Sequence, residues 1–436
     1  MDWAFSLSLS VALILALFFT GVPVFVAFLA VNVAGVLWLM GTSGFGLFAN
    51  SIYQTVTSGS LAAVPLFILM GEILFRSGTV DTLIESIDTV VGQVRARDYV
   101  VIAALSAIFG ALCGSTVAVA ALLGRTVMPS MRRRGYDVRL TAGVIAGGAT
   151  LAAVIPPSVA VIVLGSLVDV SIASLLISGI LPGLLITLLI LTYTYVRILL
   201  QPSLEPPREG GRRPPVPWSR RALALVRTLP FGLVMFSVMG LLMLGIATPS
   251  ESAATGVLGA MVAAAIHRRL NVRTLLESLG STVELTAMIL VILASARLFG
   301  QLLSFIGAPA GLMRAATALN LSAGWMLFVL LAAPFVLCMF IDLIAVMLVA
   351  VPIYLPIMKV YGFDPVWFWM IFLINIALGS MTPPFGYTLF ALKGAAPDVS
   401  LEDIYMGAWP VAVLFIIGMA IMCMFPNIVT VLPSIF

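Results

Sequence analysis

The chain has 436 residues, 62% of them hydrophobic and 9% charged, with a formal net charge of +4. Soluble domains carry roughly 25% charged residues, so a sizeable soluble domain is excluded. Apolar runs near the ~20 residues that a membrane-crossing helix needs recur from end to end. A polytopic membrane protein with about ten to twelve membrane segments is expected. The basic excess is no nucleic-acid signal, because the Arg residues sit at segment ends, where membrane topology accounts for them. Cys113, Cys338 and Cys423 are too few and too apolar in context for a disulfide framework or a zinc site.

In chain order, residues 1–60 read as N-terminal scaffold helices; the first apolar run lacks the basic start and cleavage site of a removed signal. Residues 61–200 form a first repeat. It opens with a segment, 80–97, that mixes charge and apolar positions at helical spacing, as an interfacial arm would. Arg95 and Arg97 precede the apolar stretch 98–130, and Arg132, Arg133 and Arg134 follow it. Both ends are then cytoplasmic under the positive-inside rule, which predicts a re-entrant hairpin with its tip at Cys113-Gly114-Ser115. Segment 138–167 crosses outward and carries Pro156-Pro157 at its middle. A proline pair removes two donors and clashes with the preceding turn, so this helix breaks there. Segment 171–196 returns to a basic, Pro- and Gly-rich stretch, 197–221, whose loop 201–221 is placed in the cytoplasm.

Residues 222–280 supply two further scaffold crossings, 222–246 and 251–266, and a second arm, 267–280. Residues 281–436 repeat the first plan. Stretch 322–358 is the second hairpin, with Cys338-Met339-Phe340-Ile341-Asp342 near its tip, and 365–396 is a helix broken at Pro383-Pro384. Cys113 precedes Pro156 by 43 residues and Cys338 precedes Pro383 by 45, a weak internal symmetry. Eighteen of the 22 Lys and Arg residues lie before position 274, so the second half is expected to enter from the other side as an inverted repeat. The fold class is therefore an all-α transporter with two re-entrant hairpins and two broken helices. Two broken helices in matching positions point to a binding site for cargo and ions near the midplane.

Enzyme signatures are missing. The only lysines are Lys359 and Lys393, no P-loop is present, and the single histidine, His267, stands beside Arg268 and Arg269 at a segment end. Ionisable groups inside a membrane are costly and therefore functional suspects. Glu72 and Arg76 are spaced to pair with each other, and Glu251 after Thr248-Pro249-Ser250 is placed to satisfy the first amides of a helix. Asp342 at the second tip either organises an ion site or caps a helix; Glu284 and Arg297 serve topology or packing. Freed carbonyls and a nearby hydroxyl suit a small cation, and half-helix N-termini suit an anion. Ser115, Ser158 and Thr382 adjoin the tip and breaks and are the candidate cargo contacts.

At these residues the chain resembles the large membrane subunit of the tripartite ATP-independent periplasmic (TRAP) transporters. The resemblance is carried by Gly21-VPVFVAF, Val64-PLFILMGEILFRSG, Phe109-GALCGSTVAVAALLG, the run from Val127 through Pro156-Pro157, Gly245-IATPSESAA, Val351-PIYLPIMK and Gly379-SMTPPFGYTLF, in order over nearly the whole length. It implies an elevator-type fold related to divalent-anion/sodium symporters, in the bacterial inner membrane. It also implies a small four-helix membrane partner, a periplasmic binding protein, sodium as coupling ion, and a small organic acid such as a C4-dicarboxylate as cargo. Carried over by position, the first sodium site would involve Gly110, Cys113, Ala152, Ile155 and Pro156, and the second Cys338, Gly379, Thr382 and Phe385. Cys113 stands where serine is usual, Ala152 and Cys338 where glycine is usual, and Val119 where a polar residue is frequent. Three rivals remain: a stand-alone symporter, an ATP-driven permease and an intramembrane enzyme. The Pro- and Gly-rich loop is unsuited to docking an ATPase, and no nucleophile–base or metal cluster supports the enzyme.

Overall fold

Glycine and proline decide where many of the helices stop. Helix Trp3–Phe19 ends before Gly21, whose φ of +79 suits glycine, and Pro23 stands at the start of Val24–Met40. The computed structural model describes residues 3–78, 85–87, 89–90, 97–168, 170–206 and 217–436, and among these the regular structure is helical throughout. Seven helical stretches among the described residues are long and apolar enough to cross a membrane. Shorter apolar helices account for the difference from the expected ten to twelve segments. They include Val138–Ala153, Val159–Val168, Ala323–Cys338 and Pro365–Ser380, which are the halves of hairpins and broken helices.

The first hairpin comprises helices Arg97–Cys113 and Thr116–Thr126, the second Ala323–Cys338 and Leu343–Tyr361. The first broken helix runs Val138–Thr150, a tight turn Leu151–Ala153, and Val159–Val168. The second runs Pro365–Ser380 and Tyr387–Ala395. The breaks fall at Pro156-Pro157 and Pro383-Pro384, as the sequence predicts, and both proline–proline bonds are cis. Each broken helix is followed by a long helix, Ile180–Leu200 after the first and Leu401–Met424 after the second. The order hairpin, broken helix, long helix thus occurs twice.

The two repeats interlock at a centre made for close approach. From Leu140 to Thr150 every residue of the first broken helix is buried. Its Gly143 lies against the backbone of Gly407 on Leu401–Met424, and a Cβ there would collide with the Gly407 carbonyl. Small residues at helix crossings let backbones meet where apolar burial gives no drive. Pro365–Ser380 is buried from Trp367 onward, with Trp369, Phe368 and Phe372 packed edge to face and the Trp367 indole donating to the Met422 carbonyl at 3.0 Å. The Asn375 amide donates to the Leu331 carbonyl at 2.8 Å, in the turn before Pro334, and so joins the broken helix to its hairpin.

Around this centre stand the scaffold helices, among them Ala63–Arg76, Pro249–Ile266 and Val272–Phe305. The last differs from expectation. The second arm, 267–280, and the segment beginning at 281 do not part: one 34-residue helix runs from Val272 to Phe305. Asn271 caps its start, and no proline or unsatisfied turn interrupts it. Charged Arg273 and Glu277 pair one turn apart within it, which gave the segment its arm-like composition. The arm expected over 80–97 lies almost wholly outside the described residues, as does the middle of the loop 201–221.

Candidate functional site

Each hairpin tip is built by a turn followed by a helix cap. In the first, Gly114 takes φ +61 and Ser115 accepts a hydrogen bond from the Ala118 amide at 3.4 Å, starting Thr116–Thr126. In the second, Asp342 accepts from the Ile344 amide at 2.9 Å and starts Leu343–Tyr361. Short polar side chains at this position satisfy amides that the helix leaves unpaired.

Each tip lies against one break. A Cβ on Gly114 would sit 3.0 Å from the Val159 amide nitrogen, and one on Gly110 would sit 2.9 Å from the Ala152 Cα. In the second repeat a Cβ on Gly379 would lie 2.6 Å from the Phe335 carbonyl and 2.7 Å from the Cys338 Cβ. The Gly386 amide donates to the Met339 carbonyl at 3.0 Å, and the rings of Phe340 and Phe385 meet at 4.9 Å. Gly110 with Ala152, and Cys338 with Gly379, are therefore brought together. Ile155 and Pro156 follow Ala152 directly in the first break, and Cys113 closes the helix before the first tip. The ring of Phe385 projects outward at 49% exposure, so only its backbone belongs to the second break.

The hydroxyls at the breaks are engaged by backbone. Ser158 is fully buried; it donates to the Ala153 carbonyl at 2.8 Å and accepts from the Val161 amide at 3.4 Å, stapling the two halves of the first broken helix. Thr382, 1% exposed, donates to the Leu378 carbonyl at 2.7 Å. Ser380 donates to the Ala377 carbonyl at 2.7 Å and lies 3.2 Å from the Thr388 hydroxyl across the break.

Between the interlocked repeats and the scaffold lies a cavity of about 320 Å³. Its core-side wall consists of helix beginnings: Ser115 to Ala118 of the first hairpin, Val159 and Ala160 of the first broken helix, Leu343 and Ile344 of the second hairpin, and Tyr387 of the second broken helix. Four helices therefore direct N-terminal ends, with positive dipole ends and the amides that their caps leave unpaired, at one space. The scaffold wall is Ile68, Gly71, Glu72 and Phe75 from one helix and Leu285, Met288 and Ile289 from another. Of the three hydroxyl residues expected to contact cargo, Ser115 lines this cavity, whereas Ser158 and Thr382 lie behind its wall.

The suspect charges separate in space. Glu72 and Asp342 both face the cavity. Glu72 pairs with Arg76 at 2.6 Å, and Arg76 reaches on to Glu277 at 3.4 Å and the Ser281 hydroxyl at 2.7 Å, tying two scaffold helices together. Glu251 lies elsewhere, in a capping box with Thr248 at the start of Pro249–Ile266. Arg297 donates to the Gln54 carbonyl at 3.2 Å, and the His267 ring meets the Ala263 carbonyl at 2.8 Å, both structural contacts between or within helices. Sequence reasoning did not single out Tyr387 or the scaffold trio Leu285, Met288 and Ile289. Tyr387 had a signal, since it begins the helix after the second break; the scaffold residues had none.

Residues 11–428 match the family model described as "Tripartite ATP-independent periplasmic transporter, DctM component". The ectoine/5-hydroxyectoine TRAP transporter large permease protein UehC of Ruegeria pomeroyi is 31% identical over 86% of this chain and 87% of its own. The ectoine TRAP large permease TeaC of Halomonas elongata is 29% identical over 97% of both chains. The C4-dicarboxylate TRAP large permease DctM of Pseudomonas aeruginosa is 29% identical over 88% of this chain and 89% of its own. In structure, the chain is similar to the YdaH transporter of Alcanivorax borkumensis, with a TM-score of 0.62 at 15% identity over 90% of this chain and 91% of that one. The efflux pump MtrF of Neisseria gonorrhoeae gives a TM-score of 0.59 at 14% identity over 89% and 85%. These two likenesses concern the fold alone. By the family match and its relatives, the chain belongs to the large permease subunits of the TRAP transporters.

Proposed function

We propose that this chain is the translocating subunit of a sodium-coupled importer that takes a small organic acid from a periplasmic binding protein. The observation that carries the reading is the convergence of four helix N-termini, two tips and two breaks on one cavity of about 320 Å³. Ligand pockets range over about 300–1,000 Å³, so this one suits a small molecule. Helix N-termini favour an anion without a buried basic residue. The carbonyl-rich breaks behind the wall offer the oxygen ligands that sodium needs, at Gly110, Cys113, Ala152, Ile155 and Pro156 and at Cys338, Gly379, Thr382 and Phe385. Among these the close contacts of Gly110 with Ala152 and of Cys338 with Gly379 support backbone ligation.

Transport would follow an elevator path: the repeats, inverted with respect to each other, carry the cavity along a fixed scaffold that includes Ala63–Arg76 and Val272–Phe305. As a TRAP large permease the chain is a multi-pass protein of the bacterial inner membrane, and its family works with a small membrane subunit and a periplasmic binding protein. Relatives are named for ectoine, C4-dicarboxylate and sialic acid, which supports organic acids as the cargo class. The test is uptake into proteoliposomes that hold this chain and its small subunit, fed by the cargo-loaded binding protein. Uptake should follow an inward sodium gradient in the absence of ATP. Uptake that proceeds equally with potassium, or only with ATP, would overturn the reading. Uptake of free cargo without the binding protein would favour a stand-alone symporter instead.

A further inference from the structure

The cavity is polarised. Apart from Ser115, Thr116 and Tyr387, its described polar side chains are the carboxylates of Glu72 and Asp342, and no Lys, Arg or His is among its described lining residues. Arg76, one turn from Glu72 on the scaffold helix, is already held by Glu72, Glu277 and Ser281. Asp342 differs from Glu72 in having no ion-pair partner among the described residues. One of its oxygens accepts the Ile344 amide, and the residue is exposed toward the cavity it lines. A carboxylate has about four acceptor positions; the Ile344 amide takes one, the Leu343 and Ala345 amides lie at the same helix start, and acceptor capacity remains for a donor in the cavity. The phenol of Tyr387 lies beside the same tip, near Ser380 and the Leu343 backbone. At the first tip, Ser115 and the beginnings of Thr116–Thr126 and Val159–Val168 line the cavity with no carboxylate on those elements.

A dicarboxylate in this space adds two negative charges to the carboxylates of Asp342 and Glu72, with no Lys, Arg or His among the described lining residues to separate them. Like charges in a low-dielectric site repel strongly. We infer that the cargo carries one carboxylate, held at the first tip, and an N–H-bearing or cationic nitrogen at its far end, held by Asp342. This inference rests on the reading of the cavity as the cargo site. The chemistry is that of a short amino acid or similar zwitterion rather than a dianion.

Three chain-like probes of similar length separate the possibilities: 4-aminobutyrate, butyrate and succinate. Their binding to the purified complex of large and small subunits, without the binding protein, is measured in saturating sodium by thermal stabilisation titrated to saturation. The expected result is that 4-aminobutyrate binds about 10-fold more tightly than butyrate, the worth of one charge-assisted hydrogen bond, and that succinate binds most weakly. Asp342→Asn keeps a side chain that caps helices equally well. It should therefore fold normally, erase the advantage of 4-aminobutyrate over butyrate and improve succinate relative to both. Succinate binding most tightly, or an advantage of 4-aminobutyrate that survives Asp342→Asn, overturns the inference. A change in sodium dependence with the order of the three probes unaltered also overturns it and assigns Asp342 to the ion site. If no probe binds with or without sodium, the cargo-site reading beneath it falls as well.

Discussion

Replacing Thr382 by valine separates a side-chain sodium ligand from a site made by carbonyls alone. The residue is 1% exposed and its hydroxyl donates to the Leu378 carbonyl at 2.7 Å. A hydroxyl whose hydrogen is directed at a carbonyl has its lone pairs turned away from that carbonyl, which is the orientation a cation needs. Valine keeps the branched shape and loses one hydrogen bond, worth about 0.5–1.5 kcal/mol net. The Leu378 carbonyl is not orphaned, because the Met381 amide also donates to it at 3.1 Å. Folding and assembly should therefore survive. If Thr382 supplies an oxygen to sodium, the missing ligand costs about 1–3 kcal/mol. That is roughly a 5- to 150-fold rise in the half-saturating sodium concentration. The assay is initial uptake into proteoliposomes across a sodium series at fixed loaded binding protein. Ser158→Ala is the control: that hydroxyl is used by the Ala153 carbonyl and the Val161 amide, so its loss should weaken the protein without moving the sodium curve. Unaltered sodium dependence in Thr382→Val would show that the hydroxyl is no ligand.

Gly379→Ala should abolish assembly or transport, because the new Cβ would lie 2.6 Å from the Phe335 carbonyl and 2.7 Å from the Cys338 Cβ. Overpacking costs about 1–3 kcal/mol where neighbours can yield, and two helix backbones yield little; wild-type yield and uptake would refute the crossing. Glu251→Ala removes the capping box of Pro249–Ile266 and should lower the melting temperature while uptake per folded molecule stays unchanged, as measured by thermal scan and vesicle uptake. Single cysteines at Arg133 and Ser250, in a background without native thiols, should be labelled by an impermeant reagent from the cytoplasmic and the outer face respectively. External labelling at Arg133 would end the re-entrant reading of the first hairpin.

Much of the central architecture was legible because its determinants are local. A proline pair breaks a helix wherever it stands, and the breaks fall at Pro156-Pro157 and Pro383-Pro384. The stretches 98–130 and 322–358, expected as re-entrant hairpins, hold the helix pairs Arg97–Cys113 with Thr116–Thr126 and Ala323–Cys338 with Leu343–Tyr361. Composition misled at 267–280, where the charges of Arg273 and Glu277 suggested a separate arm on what is the first part of one long helix. The scaffold wall was illegible because Leu285, Met288 and Ile289 are ordinary apolar helix residues, and only tertiary contact turns them toward a cavity. The direction of a hydroxyl was illegible for a different reason. Proximity to a break identifies Ser158 and Thr382, but freed carbonyls in the same turn compete for them, and those carbonyls hold both hydroxyls behind the cavity wall.

The same geometry explains how the chain carries Ala152 and Cys338 at positions where the resemblance leads one to expect glycine. At each crossing of hairpin and broken helix one partner is glycine: Gly110 faces Ala152 in the first repeat, and Gly379 faces Cys338 in the second. The glycine stands on the hairpin in one repeat and on the broken helix in the other. A single Cβ is therefore accommodated at either crossing, from either side, while the backbones keep nearly the same approach. Cys338 is fully buried there, and its side chain adds volume without adding a hard oxygen ligand. Under the proposed sodium coupling, the groups that matter are then the carbonyls of the breaks and tips, whose positions depend on backbone approach and the proline pairs. Substitution at Cys338 or Ala152 is tolerated as long as the opposing glycine remains. The constraint that the fold places on these sites falls on Gly110 and Gly379 more than on the residues they face.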